Sequence, residues 1–180
     1  MAEAISRWVA PVLSFTAEEM WAQLPGKRDE SVMLAEWYSN FPNTGENIFD
    51  GSFWSNILEV KAAVNGALEK ARNDKLIGAG LSAEVVLYAK PELKAQLAKL
   101  ADELHFVLIT SAASIADFDE AAGVETELAG LRVKVAHSEH EKCERCWHQN
   151  DSVGKSAVHP ALCSRCIENV EGDGETRRFA

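Results

Sequence analysis

The sequence contains no long apolar run and no excess of positive charge. Its longest mostly apolar stretch, residues 104–116, is interrupted by His105 and is too short to span a bilayer. Glu3 stands where a signal peptide would be basic, and no apolar segment follows it. The net charge of −10 argues against a generally basic nucleic-acid binder, so any contact with RNA must be local. These absences predict a cytoplasmic chain with neither a membrane nor DNA as a partner.

Cysteine is absent from residues 1–142, and all four cysteines lie within the last 38 residues. They form two pairs, Cys143-Glu-Arg-Cys146 and Cys163-Ser-Arg-Cys166, with the spacing C-x2-C-x16-C-x2-C. This spacing is typical of a four-thiolate zinc site. Each tight turn brings two sulfurs to the separation of under about 4 Å that tetrahedral zinc requires. We therefore predict one zinc ion, with Cys143, Cys146, Cys163 and Cys166 as its ligands.

Other interpretations of these cysteines have less support from the sequence. Two structural disulfides are possible in principle, but paired cysteines in a cytosolic chain favour a metal. His148 or His159 could each replace one cysteine as a ligand, but a site of three cysteines and one histidine would leave one thiol unused. Exposed histidines without a ligand role are the expectation for both.

A third alternative is the zinc site of a nucleobase deaminase. His137-Ser-Glu139 resembles the H-x-E half of that signature, with Cys163 and Cys166 downstream. The signature places Pro directly before its first cysteine, whereas Pro160 lies three positions before Cys163. This alternative also leaves Cys143 and Cys146 without a role.

The predicted zinc is structural. A catalytic zinc keeps an open coordination position beside three protein ligands, and four cysteines leave none. The cysteine-containing region also has too few large apolar side chains to fold by burial alone, so a metal is the expected source of stability. Those side chains are Trp147, Val153, Val158, Leu162, Ile167, Val170 and Phe179.

The first 40 residues are predicted to form the C-terminal part of a helix bundle. Thr16 and Glu19 have the spacing of a capping box, which predicts a helix that begins there and ends before Pro25. Two short helices cannot bury the three large aromatics Trp8, Phe15 and Trp21 by themselves. Residues 41–52 contain Pro, Asn, Gly and Asp and are predicted to be a linker.

The pattern of residues 53–180 predicts an α+β fold. A small mixed α/β sheet domain at residues 53–136 is expected to precede a four-cysteine zinc-knuckle tail at residues 137–180. A long amphipathic helix is expected from about Phe53 to Asp74. Pro91 suits the first turn of a further helix. Strands are expected at residues 83–89, 113–118 and 128–136, with an acidic loop over 119–127.

Several cationic and aromatic residues are candidates for contact with RNA. Arginine and a flat aromatic can pair with phosphates and stack on unpaired bases. Residues 142–180, however, contain six acidic and six basic side chains, so the residues alone leave RNA binding and protein docking equally open. The candidates in the tail are Arg145, Trp147, Arg165, Arg177 and Arg178, and those near the end of the long helix are Lys70, Arg72 and Lys75.

Several runs together resemble one family. They are Lys142-Cys-Glu-Arg-Cys-Trp-His148, Val153-Gly154, Leu162-Cys-Ser-Arg-Cys166, Asn169-Val170 and Gly172-Asp-Gly-Glu-Thr-Arg-Arg-Phe-Ala180. They resemble the C-terminal zinc peptide of bacterial isoleucyl-tRNA synthetase. Ala10-Pro-Val-Leu-Ser-Phe-Thr-Ala-Glu-Glu-Met-Trp21 with Leu24-Pro25 is similar to the end of the class I anticodon-binding helix bundle. Val64-Asn-Gly-Ala-Leu-Glu-Lys-Ala-Arg72, Ile77-Gly78 and residues 81–88 also look like that synthetase.

The resemblance implies an enzyme that uses ATP to join isoleucine to its tRNA and that hydrolyses misacylated valine. The ATP-binding HIGH and KMSKS motifs of this class and its editing domain are absent from the sequence, so ATP would act only through a catalytic domain outside this chain. We expect a C-terminal fragment whose partners are the anticodon side of isoleucine tRNA and the catalytic body of its own parent chain. The motifs do not specify which residues touch RNA.

Two other functions remain open at this point. One is a free-standing zinc module that docks proteins. The other is a redox switch in which oxidation of the paired thiolates releases zinc.

We predict that the purified chain has no ATP–pyrophosphate exchange activity. It contains neither a glycine-rich phosphate loop nor a nucleophile–base pair in its sequence. Exchange would be measured against a heat-killed control, and activity above that control would contradict the prediction.

Overall fold

The computed structural model describes residues 1–39, 41 and 49–178. The chain divides into two compact units, Met1–Asn47 and Ile48–Ala180. The predicted linker at residues 41–52 lies largely outside the described residues. Residues of the predicted sheet domain and of the predicted zinc tail share the second unit, and the boundary between those two domains stays a prediction.

The first unit contains two short helices, α1 (Ala2–Val9) and α2 (Ser14–Gln23). Its small core consists of Ala10, Ala17, Trp21 and Val32. The predicted capping box at Thr16 and Glu19 is wrong, because α2 begins at Ser14 with Leu13 as its N-cap and no side chain caps it. The Ala17 amide instead donates to the Leu13 carbonyl at 2.8 Å, so backbone contacts start this helix.

The aromatic residues of this unit differ in burial. Phe15 is 89% exposed, as expected for an aromatic side chain that two short helices cannot bury. Trp21 is instead buried, although two short helices were not expected to bury it. The guanidinium groups of Arg7 and Arg28 lie 5.4 and 4.9 Å from its ring centroid, and its indole N–H donates to the Asp29 carbonyl at 2.8 Å. The paired arginines explain how a two-helix unit covers this side chain.

The second unit begins with the long helix α3 (Gly51–Asn73), two residues earlier than predicted. Asp50 is its N-cap, and the Asp50 carboxylate accepts the Phe53 amide at 2.8 Å. This hydrogen bond, together with one from Ser52, lowers the pKa of Asp50. One face of α3 is buried, as the periodicity predicted, through Phe53, Ile57, Val60, Val64, Ala67, Leu68 and Ala71.

A mixed four-stranded sheet follows, with the strand order β2-β1-β4-β3. The strands are β1 (Ala83–Ala89), β2 (Ala112–Asp117), β3 (Val124–Glu125) and β4 (Leu131–His137). Strand β1 pairs in parallel with β2 and antiparallel with β4, and β3 pairs antiparallel with β4. The predicted acidic loop therefore contains a short edge strand. The α+β fold class is confirmed.

The connection from β1 to β2 contains α4 (Pro91–Leu97), a 3-10 segment at residues 98–103, and α5 (Leu104–Leu108). Ala101 has a φ of +47°, which interrupts the helical conformation between α4 and α5. A last helix, α6 (Ser164–Glu171), lies in the cysteine region. No helix among the described residues is long and apolar enough to cross a membrane.

The main core lies between the sheet and the helices α3, α4 and α5. Leu87 of the central strand β1 is completely buried in it. We predict that Leu87→Ala lowers the free energy of unfolding by about 2–5 kcal/mol, because it removes apolar contacts and leaves a cavity. Urea unfolding followed by circular dichroism would measure the loss. Leu58→Ala is the matched control, since Leu58 on α3 is 59% exposed, and an equal loss in both variants would contradict the core assignment.

Candidate metal centre

The first pair of cysteines lies in a tight turn. Lys142 and Gln149 form an antiparallel bridge that closes it. The Cys143 amide donates to the His148 carbonyl at 2.9 Å, and the Trp147 amide donates to the Cys143 carbonyl at 2.9 Å. Trp147 completes the turn with a φ of +67°, a conformation that costs energy for a bulky side chain.

The second pair lies at the start of α6. Cys163 is the N-cap residue of this helix and Cys166 lies in its first turn. Residues three apart on a helix face the same side, so the two sulfurs point together. Helix α6 was not predicted from the sequence, although a short helix after the first cysteine of a pair accounts for the C-x2-C spacing as well as a turn does.

The two turns bring all four sulfurs to one place. The four Sγ atoms lie within 4.8 Å of one another, and those of Cys146 and Cys163 are 3.8 Å apart. Tetrahedral zinc with Zn–S bonds of roughly 2.3 Å requires sulfurs about 3.8 Å apart, so the cluster fits this ion. Three of the cysteines are buried, Cys146 is half-buried, and none is in a disulfide. Among the described residues, no second cluster of this kind occurs.

Burial and backbone amides shift the pKa values of these thiols in opposite directions. Burial raises the pKa of Cys163 to about 12, and it also raises the pKa of Cys166. Burial would raise the pKa of Cys143 as well, but amide N–H groups of Cys146, Cys163 and Arg145 lower it to about 6. At neutral pH, Cys163 and Cys166 therefore hold protons until a cation displaces them.

The histidines lie outside the sulfur cluster. His148 Nδ1 is 3.3 Å from the Cys146 carbonyl oxygen, and His159 Nε2 is 2.7 Å from Glu171 Oε1. The cluster contains four cysteines and neither histidine, which argues against the alternative in which a histidine replaces one cysteine. Both histidines are half-buried rather than exposed as expected, and burial lowers the pKa of His148.

Two of the predicted RNA-contact residues lie against the sulfurs. The Arg145 Nη1 atom is 3.6 Å from Cys166 Sγ. Arg165 lines the same cavity as Cys146 and forms an ion pair of 3.1 Å with Glu175.

The structure places the other predicted contacts in several positions. Trp147 is 61% exposed, and Lys142 Nζ lies 5.0 Å from its ring centroid. Arg177 lies 3.9 Å from the Phe106 ring centroid, and the Arg178 amide donates to Glu103 at 2.6 Å. Three exposed residues lie at the C-terminal end of α3 or just after it: Lys70, Arg72, which pairs with Glu69, and Lys75.

A cavity of about 240 Å³ beside the sulfur cluster was not predicted. His105 and Phe106 of α5 line it together with His148, Arg165 and Arg177. Burial lowers the pKa of His105. Glu175 forms ion pairs with Arg165 and Arg177, at 3.1 and 3.3 Å. No sequence signal joined Phe106 to residues so much later in the chain, because the contact depends on how the cysteine region packs against α5.

Two family models match separate parts of this chain. Residues 1–87 match the family model of the anticodon-binding domain of tRNA ligase. Residues 141–169, which contain the sulfur cluster, match the zinc finger found in FPG and IleRS.

Individual relatives cover the whole chain. The isoleucine--tRNA ligase of Azotobacter vinelandii is 52% identical over 181 residues, or 99% of this chain. Over nearly its whole length, the chain is similar to one part of that ligase. Isoleucine--tRNA ligases of Pseudomonas aeruginosa and Alkalilimnicola ehrlichii are 52% and 50% identical over 100% of the chain. The chain spans only 19% of the Azotobacter and Pseudomonas ligases and 20% of the Alkalilimnicola ligase.

These matches agree with the geometry of the centre. The zinc-finger match and the four-cysteine cluster together support one structural zinc per chain. Four thiolates around the ion leave no open position, so the zinc would cross-link the two turns rather than activate a substrate.

We predict that Cys143→Ser and Cys163→Ser lose most of the bound zinc, because either change removes one thiolate of four. The zinc affinity of the wild-type chain should fall as the pH is lowered from 8 to 6, since Cys163 and Cys166, with raised pKa values, must release protons on binding. Metal analysis and chelator competition would measure both effects. Ser164→Ala, next to a ligand, is the control, and full zinc retention in both cysteine variants would contradict the site.

Proposed function

We propose that this chain is the zinc-stabilised, anticodon-side tRNA-binding part of an isoleucine--tRNA ligase. The observation that carries the proposal is the exposed Trp147, held in a strained backbone conformation directly after a cysteine of the sulfur cluster. The anticodon-binding match over residues 1–87 and the relatives' name support the same partner.

Zinc has a positioning role in this proposal, with Cys143, Cys146, Cys163 and Cys166 as its ligands. The turn that carries Trp147 is tied to the second turn by the cluster and by the Glu144 amide, which donates to the Ala161 carbonyl at 3.1 Å. The zinc region is also attached to the sheet, because the Gln149 amide donates to Ser111 Oγ at 2.7 Å. Trp147 thus projects from a rigid base.

Trp147 would stack on an unpaired anticodon base. A base that stacks on an aromatic side chain contributes about 1–3 kcal/mol and needs no particular sequence. The nearby Lys142 ammonium, 5.0 Å from the ring centroid, adds a cation beside the same surface. Lys142 can then turn from the ring to a phosphate when RNA binds.

The remaining candidates would contact the backbone of the RNA. Arg177 and Arg178 are exposed in the tail, and Lys70, Arg72 and Lys75 would form outer contacts from the end of α3. Arg145 and Arg165 each have five N–H donors, so a contact with a sulfur leaves others for a phosphate.

The same proposal extends to the whole enzyme. A catalytic body elsewhere in the parent protein would bind ATP and attach isoleucine to its tRNA, and this chain would hold the tRNA on the anticodon side. The four cysteines without disulfides fit a reducing compartment, so we also propose a cytoplasmic location.

We predict that the chain binds the anticodon stem-loop of isoleucine tRNA and that Trp147→Ala weakens this binding roughly 5- to 150-fold, the equivalent of one lost stacking contact. Trp147→Phe should retain most of the affinity because it keeps a flat ring. Arg177→Ala should weaken a cognate and a scrambled loop alike and reduce the salt slope by a little less than one.

Fluorescence titration of a labelled stem-loop at several salt concentrations would test this. Val158→Ala is the control, because Val158 is an exposed apolar residue of the same zinc region. Equal affinities of wild type, Trp147→Ala and the scrambled loop would contradict the RNA role of this surface. In that case, docking of the same surface on the catalytic body would be the remaining role.

A further inference from the structure

The repeated arginine within the two cysteine pairs is not explained by zinc ligation alone. Both pairs have the form C-x-R-C, so Arg145 and Arg165 occupy the same position in each. The ligands are the cysteines, and the spacing requires only two residues of any type between them.

The structure shows that each arginine serves the opposite pair. Arg145, from the first pair, lies with Nη1 3.6 Å from the sulfur of Cys166 in the second. Arg165, from the second pair, lines the same cavity as Cys146 of the first. The two arginines therefore reach across the centre in opposite directions, each towards the second cysteine of the other pair.

The first cysteine of the first pair has a backbone donor instead. Cys143 accepts a hydrogen bond from the Cys163 amide at 3.4 Å. A backbone N–H thus serves Cys143, whereas a guanidinium serves Cys166.

The negative charge of the zinc–thiolate centre explains why guanidinium groups lie beside it. Four thiolates around one divalent cation leave an excess of two negative charges, and three of the four cysteines are buried. Buried charge is costly unless it is paired and hydrogen-bonded. Two guanidinium groups offset part of that excess, because Glu175 shares the charge of Arg165.

Arg165 is held in place for this role, whereas Arg145 is exposed. Glu175 pairs with Arg165 at 3.1 Å, and the Phe106 ring lies 4.9 Å from its guanidinium carbon. Outer groups that orient and neutralise ligands typically change metal affinity by 10- to 100-fold.

We propose that Arg145 and Arg165 are crossed positioning residues of the zinc centre, each neutralising and hydrogen-bonding the second cysteine of the opposite pair. This inference rests on the zinc site proposed above. It also gives the two arginines a role that does not depend on RNA.

The test measures zinc release from the intact chain into a chromogenic chelator. Arg145→Gln and Arg165→Gln should each weaken zinc binding about tenfold or more and speed its release. Arg145→Lys and Arg165→Lys should lose less, because they keep the charge but not the planar donor group. Lys142→Gln is the matched control, since it removes one positive charge next to Cys143 from a side chain that lies on Trp147.

A second readout uses the chain loaded with Co²⁺. Removal of a donor to a thiolate should shift the sulfur-to-cobalt charge-transfer absorption to lower energy, because the sulfur lone pairs become less stabilised. Arg145 is exposed, so its variants are expected to fold even if Arg165→Gln does not.

The outcomes separate the two proposals. A wild-type chain that binds no zinc would overturn the zinc site itself. A wild-type chain that binds zinc, with Arg145→Gln no weaker than Lys142→Gln and an unshifted cobalt spectrum, would overturn the crossed arginines and leave the zinc site standing. Faster release and a shifted spectrum in the arginine variants alone would support the inference.

Discussion

Convergence of four sulfurs on one point is the constraint on which the cysteine region depends. Among the residues of this region that the structure describes, the buried ones are the ligands Cys143, Cys163 and Cys166, and Cys146, Val153 and Leu162 pack against them. The ligands are therefore themselves the core, and metal coordination takes the place of apolar burial. The start of α6 and the strained turn at Trp147 both follow, because each places a cysteine where the shell requires it.

The cysteine region is in turn fixed to the sheet by a few specific contacts. Ser111, just before β2, accepts the Gln149 amide with its Oγ atom and donates from the same atom to the Leu81 carbonyl at 2.5 Å. Phe106 of α5 lies beneath both Arg165 and Arg177. Both contacts join residues far apart in sequence, so the position of the zinc-binding turns depends on the fold of the preceding α+β part.

Features set by local spacing were predictable from the sequence, and those set by long-range packing were not. The buried face of α3, strand β1 and the four-sulfur cluster follow from periodicity or from cysteine spacing. Thr16 and Glu19 matched a capping box, but the backbone of residues 13–17 already forms the helix. The cavity beside Phe106 required knowledge of which surface of α5 meets the cysteine region. Arg145 and Arg165 were noticed as cations, but their crossed contacts depend on the folded centre.

Charge explains what kind of RNA contact such a surface can make. The chain carries a net charge of −10, and Glu175 already pairs with both Arg165 and Arg177, so long-range attraction to phosphates is weak. A zinc–thiolate centre near Trp147 would add repulsion, which the proposed arginine contacts would reduce. Affinity must then come from short-range stacking and shape rather than from counterion release. Stacking requires splayed bases, which a loop offers and a duplex does not, so this charge distribution itself favours a single-stranded loop as the partner.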